Sequence, residues 1–152
     1  MTPHLLALAM LAQPECHVGR TRALTIATEA LRQEVRYDLP RGLLVAVVLA
    51  ESGGRKIVAR RRGKGRRGCD SGEAQIHIPR CDERRLRRLL VLSTNLAEAA
   101  RLLAQSRQTC QRRSLTPCEI SEWALYNAGS RGGWPRVERI WERLQSHRAP
   151  QS

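Results

Sequence analysis

The stretch LLVAVVLAESGG at residues 43–54 constrains the fold more than any other: seven apolar residues and Ala50 run straight into a carboxylate, a hydroxyl and two glycines. Pro40 reads as the opening of a helix that passes through Leu44, Val47 and Val48 to Glu51, and Gly53 with Gly54 reads as its stop. An acid placed where an apolar stretch ends is expected to be partly desolvated, a setting that favours its protonated form.

The pattern is helical along nearly the whole chain. Residues 21–35 carry Leu24, Ala27, Leu31 and Val35 at helical spacing. Leu86, Leu89 and Leu90 mark a third helix, and Asn95 with Glu98 reads as the capping pair of a fourth whose apolar face includes Leu96, Ala100 and Leu103. Thr116-Pro117-Cys118-Glu119 combines an N-cap, a proline at the first helical position and a glutamate at the third, opening a helix through Trp123 and Asn127. Pro135 opens a last helix with Val137, Ile140, Trp141 and Leu144. Only residues 72–78, with Ile76 and Ile78 alternating, read as β and suggest a small hairpin. The expectation is an α+β, mainly α domain of about six helices at residues 21–147, preceded by an N-terminal segment, 1–20, and followed by a short tail, 148–152. Within that first segment Leu5 to Ala12 is apolar and Ala7-Leu8-Ala9 resembles a cleavage site, yet a basic leader is missing. It reads as a weak or truncated signal, or as the first helix. No stretch is long enough to span a membrane.

A length of 152 residues with 41% hydrophobic content suits one folded domain. The net charge of +13 is almost all arginine, Lys56 and Lys64 being the only lysines. Such a surface favours polyanionic partners, although a coding bias toward arginine gives the same count. The basic stretch RKIVARRRGKGRRG at 55–68 reads as a loop, either solvated and mobile or steering the protein toward anionic polymers. Its glycine spacing and lack of aromatic residues argue against nucleic-acid reading, which uses a recognition helix or stacking rings. The five cysteines lack the spacing of a zinc site, so no metal or other cofactor is indicated. Cys69 with Cys81, and Cys110 with Cys118, would each close a short loop, one of fifteen pairings once the odd thiol is counted. Disulfides would place the chain in an oxidising location.

Three short stretches carry chemistry: AESGG at 50–54, SGEAQIHI at 71–78 and ALYNAGS at 124–130. Singly each has a plainer explanation; a Tyr-Asn pair before glycine, for instance, suits a helix C-cap. In this order, with NLAEAARLLA at 95–104 between the last two, they resemble the SLT-type lytic transglycosylases, the goose-type-lysozyme-like glycoside hydrolases. The resemblance covers roughly residues 39–140 and is closest to the small specialised members of secretion systems or phage particles.

That resemblance implies a lysozyme-like fold with a hairpin beside a cleft, and cleavage of the β-1,4 bond between N-acetylmuramic acid and N-acetylglucosamine. Glu51 matches the single catalytic acid and base of the family, and Tyr126 the tyrosine that hydrogen-bonds it. Gln75 and Asn127 match sugar-contacting positions, and Ser52 the serine after the acid, with a capping role equally open to it. The implied partners are peptidoglycan strands and a secretion-system or virion assembly. The implied setting is periplasmic, extracellular or virion-associated. Where the family has Gly-Leu-Met-Gln, this chain has Gly72-Glu73-Ala74-Gln75. Glu73, and second to it Asp70, is therefore a candidate second carboxylate that would activate water and make the enzyme a hydrolase; a solvent-facing Glu73 is the plainer alternative. Trp123 and Trp141 are expected in the core, and Trp134, in a glycine-rich turn, at the cleft. His17 and His77 have no evident partner. A wall-binding or assembly protein without catalysis stands beside both enzyme readings.

Overall fold

A helix that is apolar on every side can only be buried on every side. The computed structural model, which describes residues 1–60, 68–113, 118, 120 and 134–147, shows this for α3, Leu43–Ser52. Its residues from Leu43 to Leu49 are all buried. Around it pack α2 (Arg20–Arg36), α5 (Leu92–Arg113) and α6 (Trp134–Ser146). The helix starts at Leu43 rather than at Pro40, because Gly42 adopts a left-handed φ of 85° and breaks the run. The N–H groups so exposed to the core find a carboxylate. Glu34, fully buried, accepts from Gly42 N through Oε2 and from Leu44 N through Oε1, both at 2.8 Å.

This clamp also corrects the expected inner face of α2. Val35 is 65% exposed and Leu24 only half-buried, while Ala23, Ile26, Ala27, Ala30, Leu31 and Glu34 point inward. The stripe is turned so that the acid, not the valine, faces α3.

The N-terminal segment contains α1, Pro3–Leu11, opened by Thr2, whose Oγ1 accepts from Leu5 N at 3.3 Å. Leu6, Ala7, Ala9 and Met10 are buried against α2 and α6. After it, Arg143 of α6 donates to Gln13 Oε1 at 2.8 Å and to Glu15 Oε1 at 2.7 Å, tying the following loop to the last helix.

Between α3 and α4 (Glu83–Leu89) lies a three-stranded antiparallel sheet of order β1 (Ile57–Arg60), β2 (Cys69–Gly72) and β3 (Ile76–Ile78). The expected hairpin is β2–β3, with Cys69 opposite Ile78 and Ser71 opposite Ile76. The strand β1 corrects the reading of 55–68 as loop: four of its residues pair with β2, and residues 61–67 lie outside the described part. Helix α4 is capped by Asp82, which accepts from Arg85 N at 2.7 Å.

The chain resumes helix at Leu92, so Asn95 sits inside the first turn of α5 rather than at its cap. Leu96, Ala100 and Leu103 are buried as the periodicity predicts, and so are Val137, Ile140 and Leu144 of α6. Trp141 is half-buried against the core, its Nε1 donating to Arg41 O at 3.1 Å. The described residues thus form six helices and one small sheet, an α+β, mainly helical architecture. Of the helix expected from Thr116 through Asn127 only Cys118 and the buried, helical Ile120 are among them, and Trp123 and the tail lie outside.

Both expected disulfides are present, Cys69–Cys81 and Cys110–Cys118, and Cys16 is the free thiol. The first fixes the start of β2 to the turn after β3.

Glu34→Ala removes both acceptors from the head of α3 and leaves two buried N–H groups. The expected loss is about 3 kcal/mol, or ~6–12 °C in Tm. Val35→Ser, one residue away, should stay within ~0.5 kcal/mol. Equal effects in thermal unfolding would contradict the clamp.

Candidate functional site

The end of α3 is shaped by glycine. Gly53 and Gly54 have φ of 64° and 87°, and Gly53 N donates to Leu49 O at 3.2 Å, closing the helix in a left-handed C-cap. Residues 15–18 press onto this turn. His17 N donates to Gly53 O at 2.9 Å, and a Cβ on Gly53 would collide with the His17 ring and the Glu15 carbonyl. Glu51 therefore stands on the last turn of α3, where the apolar helix reaches the surface. Glu51 is exposed, beside the half-buried Ala50. Ser52 points the other way: it is buried and its hydroxyl donates to Val48 O at 3.2 Å. This is a back-bond within the last turn of the helix, whose C-cap is Gly53.

Six residues beyond Glu51, β1 begins, and its first carbonyl receives Gln75. Gln75 holds a left-handed φ of 49°, is half-buried, and donates from Nε2 to Gly72 O at 2.7 Å and Ile57 O at 3.2 Å. The second stretch of the sequence pattern is thus pinned to the strand that leaves the first. Because n extended residues reach at most ~3.3–3.6 Å each, Ile57 lies within ~20 Å of Glu51.

The turn at 72–75 is held from behind by Asn95, fully buried, which accepts from Ala74 N at 2.8 Å and donates to Ser71 O at 2.9 Å. Gly72, at a φ of 78°, is required there, since a Cβ would overlap the Asn95 amide and the Leu89 carbonyl. Sequence reading assigned Asn95 to a cap because Asn three residues before Glu is a common cap signal. Nothing local distinguishes that from an inward-facing clamp.

Glu73 is wholly buried and paired with Arg22 of α2, so the solvent-facing reading is overturned. One oxygen takes the Arg22 guanidinium; the other, Oε2, is buried without a hydrogen-bond partner among the described residues. This geometry ties the β2–β3 turn to α2 and gives the carboxylate no route to bulk water. Asp70, the second candidate, is half-buried on the outer face of the sheet and lies 3.0 Å from Nδ1 of His77, its cross-strand neighbour. His77 thus has a partner that sequence reading missed. Asp70 precedes the stretch 72–78 that reads as β, so the sequence reading held no strand in which to pair it.

Glu15, beside the C-cap, is held below the ordinary carboxylate range. Burial works to raise it, but the hydrogen bond from Arg143 and the charges of Arg143 and Arg136 outweigh that. Tyr126 and Asn127 lie outside the described residues, and Trp134 is the first residue of α6. Among the described residues no three His, Cys, Asp or Glu side chains group as a metal site needs, and no helix is long and apolar enough to cross a membrane. No protein-family model matches the chain, and no curated protein and no solved structure is found similar to it.

Chemically, the arrangement offers one exposed carboxyl at a rigid helix end. A half-buried amide is fixed on the strand that follows.

Two outcomes are expected. Arg22→Met strands the buried Glu73 charge and should cost roughly 3 kcal/mol in urea unfolding, with Arg22→Met/Glu73→Gln recovering much of it; a neutral Arg22→Met would show that Glu73 is solvated. A carboxyl lowered in the fold adds stability that is complete above its unfolded pKa of ~4.3 and is lost as pH falls through its folded value. Acid titration below about pH 4 should therefore release residues 13–18, seen as simultaneous shifts of their amide resonances, and Arg143→Met should move that release to higher pH.

Proposed function

We propose that the protein is a peptidoglycan lytic transglycosylase with Glu51 as its single acid and base. The observation that carries this reading is the pair of anchors on either side of the α3–β1 connection. Glu51 is presented by the left-handed stop of a fully buried helix, and Gln75 is tied to the first residue of β1. Both belong to the ordered set of stretches that resembles the family.

In this reaction the Glu51 carboxyl protonates the glycosidic oxygen as its bond to the muramoyl anomeric carbon breaks, releasing the N-acetylglucosamine hydroxyl. The carboxylate then takes the proton of the muramoyl 6-hydroxyl, whose oxygen bonds to the anomeric carbon and closes the 1,6-anhydro ring. The proton count returns to its start, so one carboxyl suffices. Glu51 is exposed before substrate arrives, so the glycan itself excludes water from the acid. Gln75 has its amide nitrogen committed to the backbone, which turns its carbonyl oxygen toward the donor groups of an N-acetyl sugar. By the resemblance, Tyr126 and Asn127 would serve as hydrogen-bonding partners of the acid and of the sugar, and Trp134 would contribute to sugar binding.

The hydrolytic alternative needs a second carboxylate on the opposite face of the sugar to activate water. Glu73 is buried against Arg22, which leaves Asp70 of the two carboxylates that the sequence offered for that role. The two disulfides suit an oxidising compartment, and we place the protein in the periplasm, outside the cell or on a virion. There it would serve a secretion-system or virion assembly that must open the wall. The basic stretch at 55–68 would draw the protein to anionic wall polymers.

Purified protein incubated with peptidoglycan should release anhydro-muramoyl products, lighter by one water than hydrolytic ones in mass spectrometry. Glu51→Gln should lower their rate by about 10²–10⁴, while Asp70→Asn leaves the product type unchanged. Reducing-end products that vanish in Asp70→Asn would make the enzyme a hydrolase. No product from the wild-type protein, with retained binding to wall sacculi, would make it a wall-binding protein.

A further inference from the structure

A groove of about 740 Å³ lies away from Glu51, between the C-terminal end of α2, the outer face of α4 and the start of α5. Helix α2 sets the separation. Its Arg22 reaches the sheet at Glu73, whereas Arg36, fourteen residues or about 21 Å further along the helix, borders the groove. Glu34, two residues before Arg36, holds the N-terminal end of α3, so the groove sits at the opposite end of that helix from Glu51.

The charge of the groove is unbalanced in a specific way. Four arginines border it, Arg36, Arg84, Arg85 and Arg88, against two carboxylates, Asp82 and Glu98. Both carboxylates are already engaged. Asp82 caps α4, accepting from Arg85 N at 2.7 Å. Glu98 receives Nε and Nη2 of Arg101, both at 2.9 Å, and lies 3.6 Å from Arg85. The Arg101 hydrogen bond, against some burial, keeps the Glu98 carboxyl below its ordinary range. Arg84 and Arg88, one helical turn apart on α4, make no close ion pair among the described residues, and Arg88 acts on Glu98 only through its charge. Opposite them the Arg36 guanidinium lies 5.5 Å from the centre of the half-buried Tyr37 ring. The floor is Leu89, buried, and Thr94 adds a hydroxyl at one side.

Uncommitted guanidinia on two facing walls, over an apolar floor, match a compact ligand with more than one oxyanion. The planar fork of arginine pairs bidentately with phosphate or carboxylate, and a volume in the range of ligand pockets lets several such pairs form at once. We propose that this groove is a second binding site, for a soluble ligand carrying two or more phosphate or carboxylate groups, with Arg84 and Arg88 as its principal contacts. The site stands independently of the reaction assigned to Glu51.

Inorganic tripolyphosphate and the tricarboxylate tricarballylate, titrated calorimetrically into the intact oxidised protein, test this. At about 150 mM salt the Debye length of ~8 Å suppresses diffuse attraction to the basic surface. Arg84→Gln/Arg88→Gln is compared with Arg20→Gln/Arg139→Gln, a pair of exposed arginines on other faces that removes the same charge. The groove pair should weaken binding about tenfold or more and the remote pair less than about twofold, with unchanged Tm in the absence of ligand for both. Binding of tripolyphosphate alone assigns the site to phosphate ligands, and binding of both probes assigns it to multivalent oxyanions in general. Equal weakening by the two pairs, or no binding of either probe to the wild-type protein, overturns the proposal.

Discussion

The carboxylate of Glu34 is the contact on which the placement of everything else turns. An all-apolar helix must sit in the middle of the fold, and the middle has no water for the N–H groups that every helix leaves unsatisfied at its start. A side chain from another element has to meet them. Glu34 does so with one hydrogen bond from each oxygen, and its charge is favourable at the positive end of the helix dipole. The same contact fixes the separation and the relative rotation of α2 and α3. With the head of α3 locked inside, its tail must come out, and the residue on the emerging turn is Glu51.

A second buried polar group repeats this logic at the sheet. A tight turn between two short strands carries backbone groups that neither strand can satisfy, and burying it under α4 and α5 takes water away from them. Asn95 supplies one donor and one acceptor, matching Ala74 N and Ser71 O, and Gly72 leaves room for the amide to approach. Arg22 and Glu73 then tie the same turn to α2. The sheet is too small to be stable alone; these contacts and the Cys69–Cys81 bridge make it part of the helical body. Gln75 inherits its position from them.

The helices were legible because burial imposes a period of 3.6 on the sequence, and α5 and α6 bury the residues that the period selects. The limits fell where polar atoms do work in the interior. Val35 fits the apolar stripe of α2 better than Glu34 does, yet the head of α3 needs the acid inside, so the helix is turned and the valine is exposed. Pro40 is a sound start signal, but Gly42 delays the helix until Glu34 can cap it. Asn95 and Glu73 have no apolar signature, and their partners lie far away in sequence, Arg22 being fifty-one residues from Glu73. Short strands were hardest: β1 lies in an arginine-rich stretch whose composition suggests solvent, and only its pairing with β2 makes it a strand. At the site, the acid and its glycine stop were readable. The exposure of Glu51 and the burial of Glu73 were not, since each depends on which face a long-range contact selects, and the Asp70–His77 pair was not because Asp70 precedes the stretch that reads as β.

Three glutamates lie on consecutive parts of this chain, and their environments divide the labour among them. Glu34 and Glu73 are fully buried, each engaged by groups that the fold needs held, so their negative charge is spent on structure. Glu51 alone of the three is exposed, on the rigid end of the most buried helix. A catalytic acid benefits from that combination, because the helix fixes its position while the open side admits a bulky polymer. It also shapes the chemistry the site can support. Water attacking from the far side of a sugar needs a base there, and burying Glu73 takes the nearest sequence candidate out of reach. In the proposed reaction a carboxyl acting alone would be best served by a nucleophile already attached to the substrate, as the muramoyl 6-hydroxyl would be. Where the Gly-x-x-Gln stretch carries Glu73, the observed consequence is in how the turn is anchored, through the buried pair with Arg22.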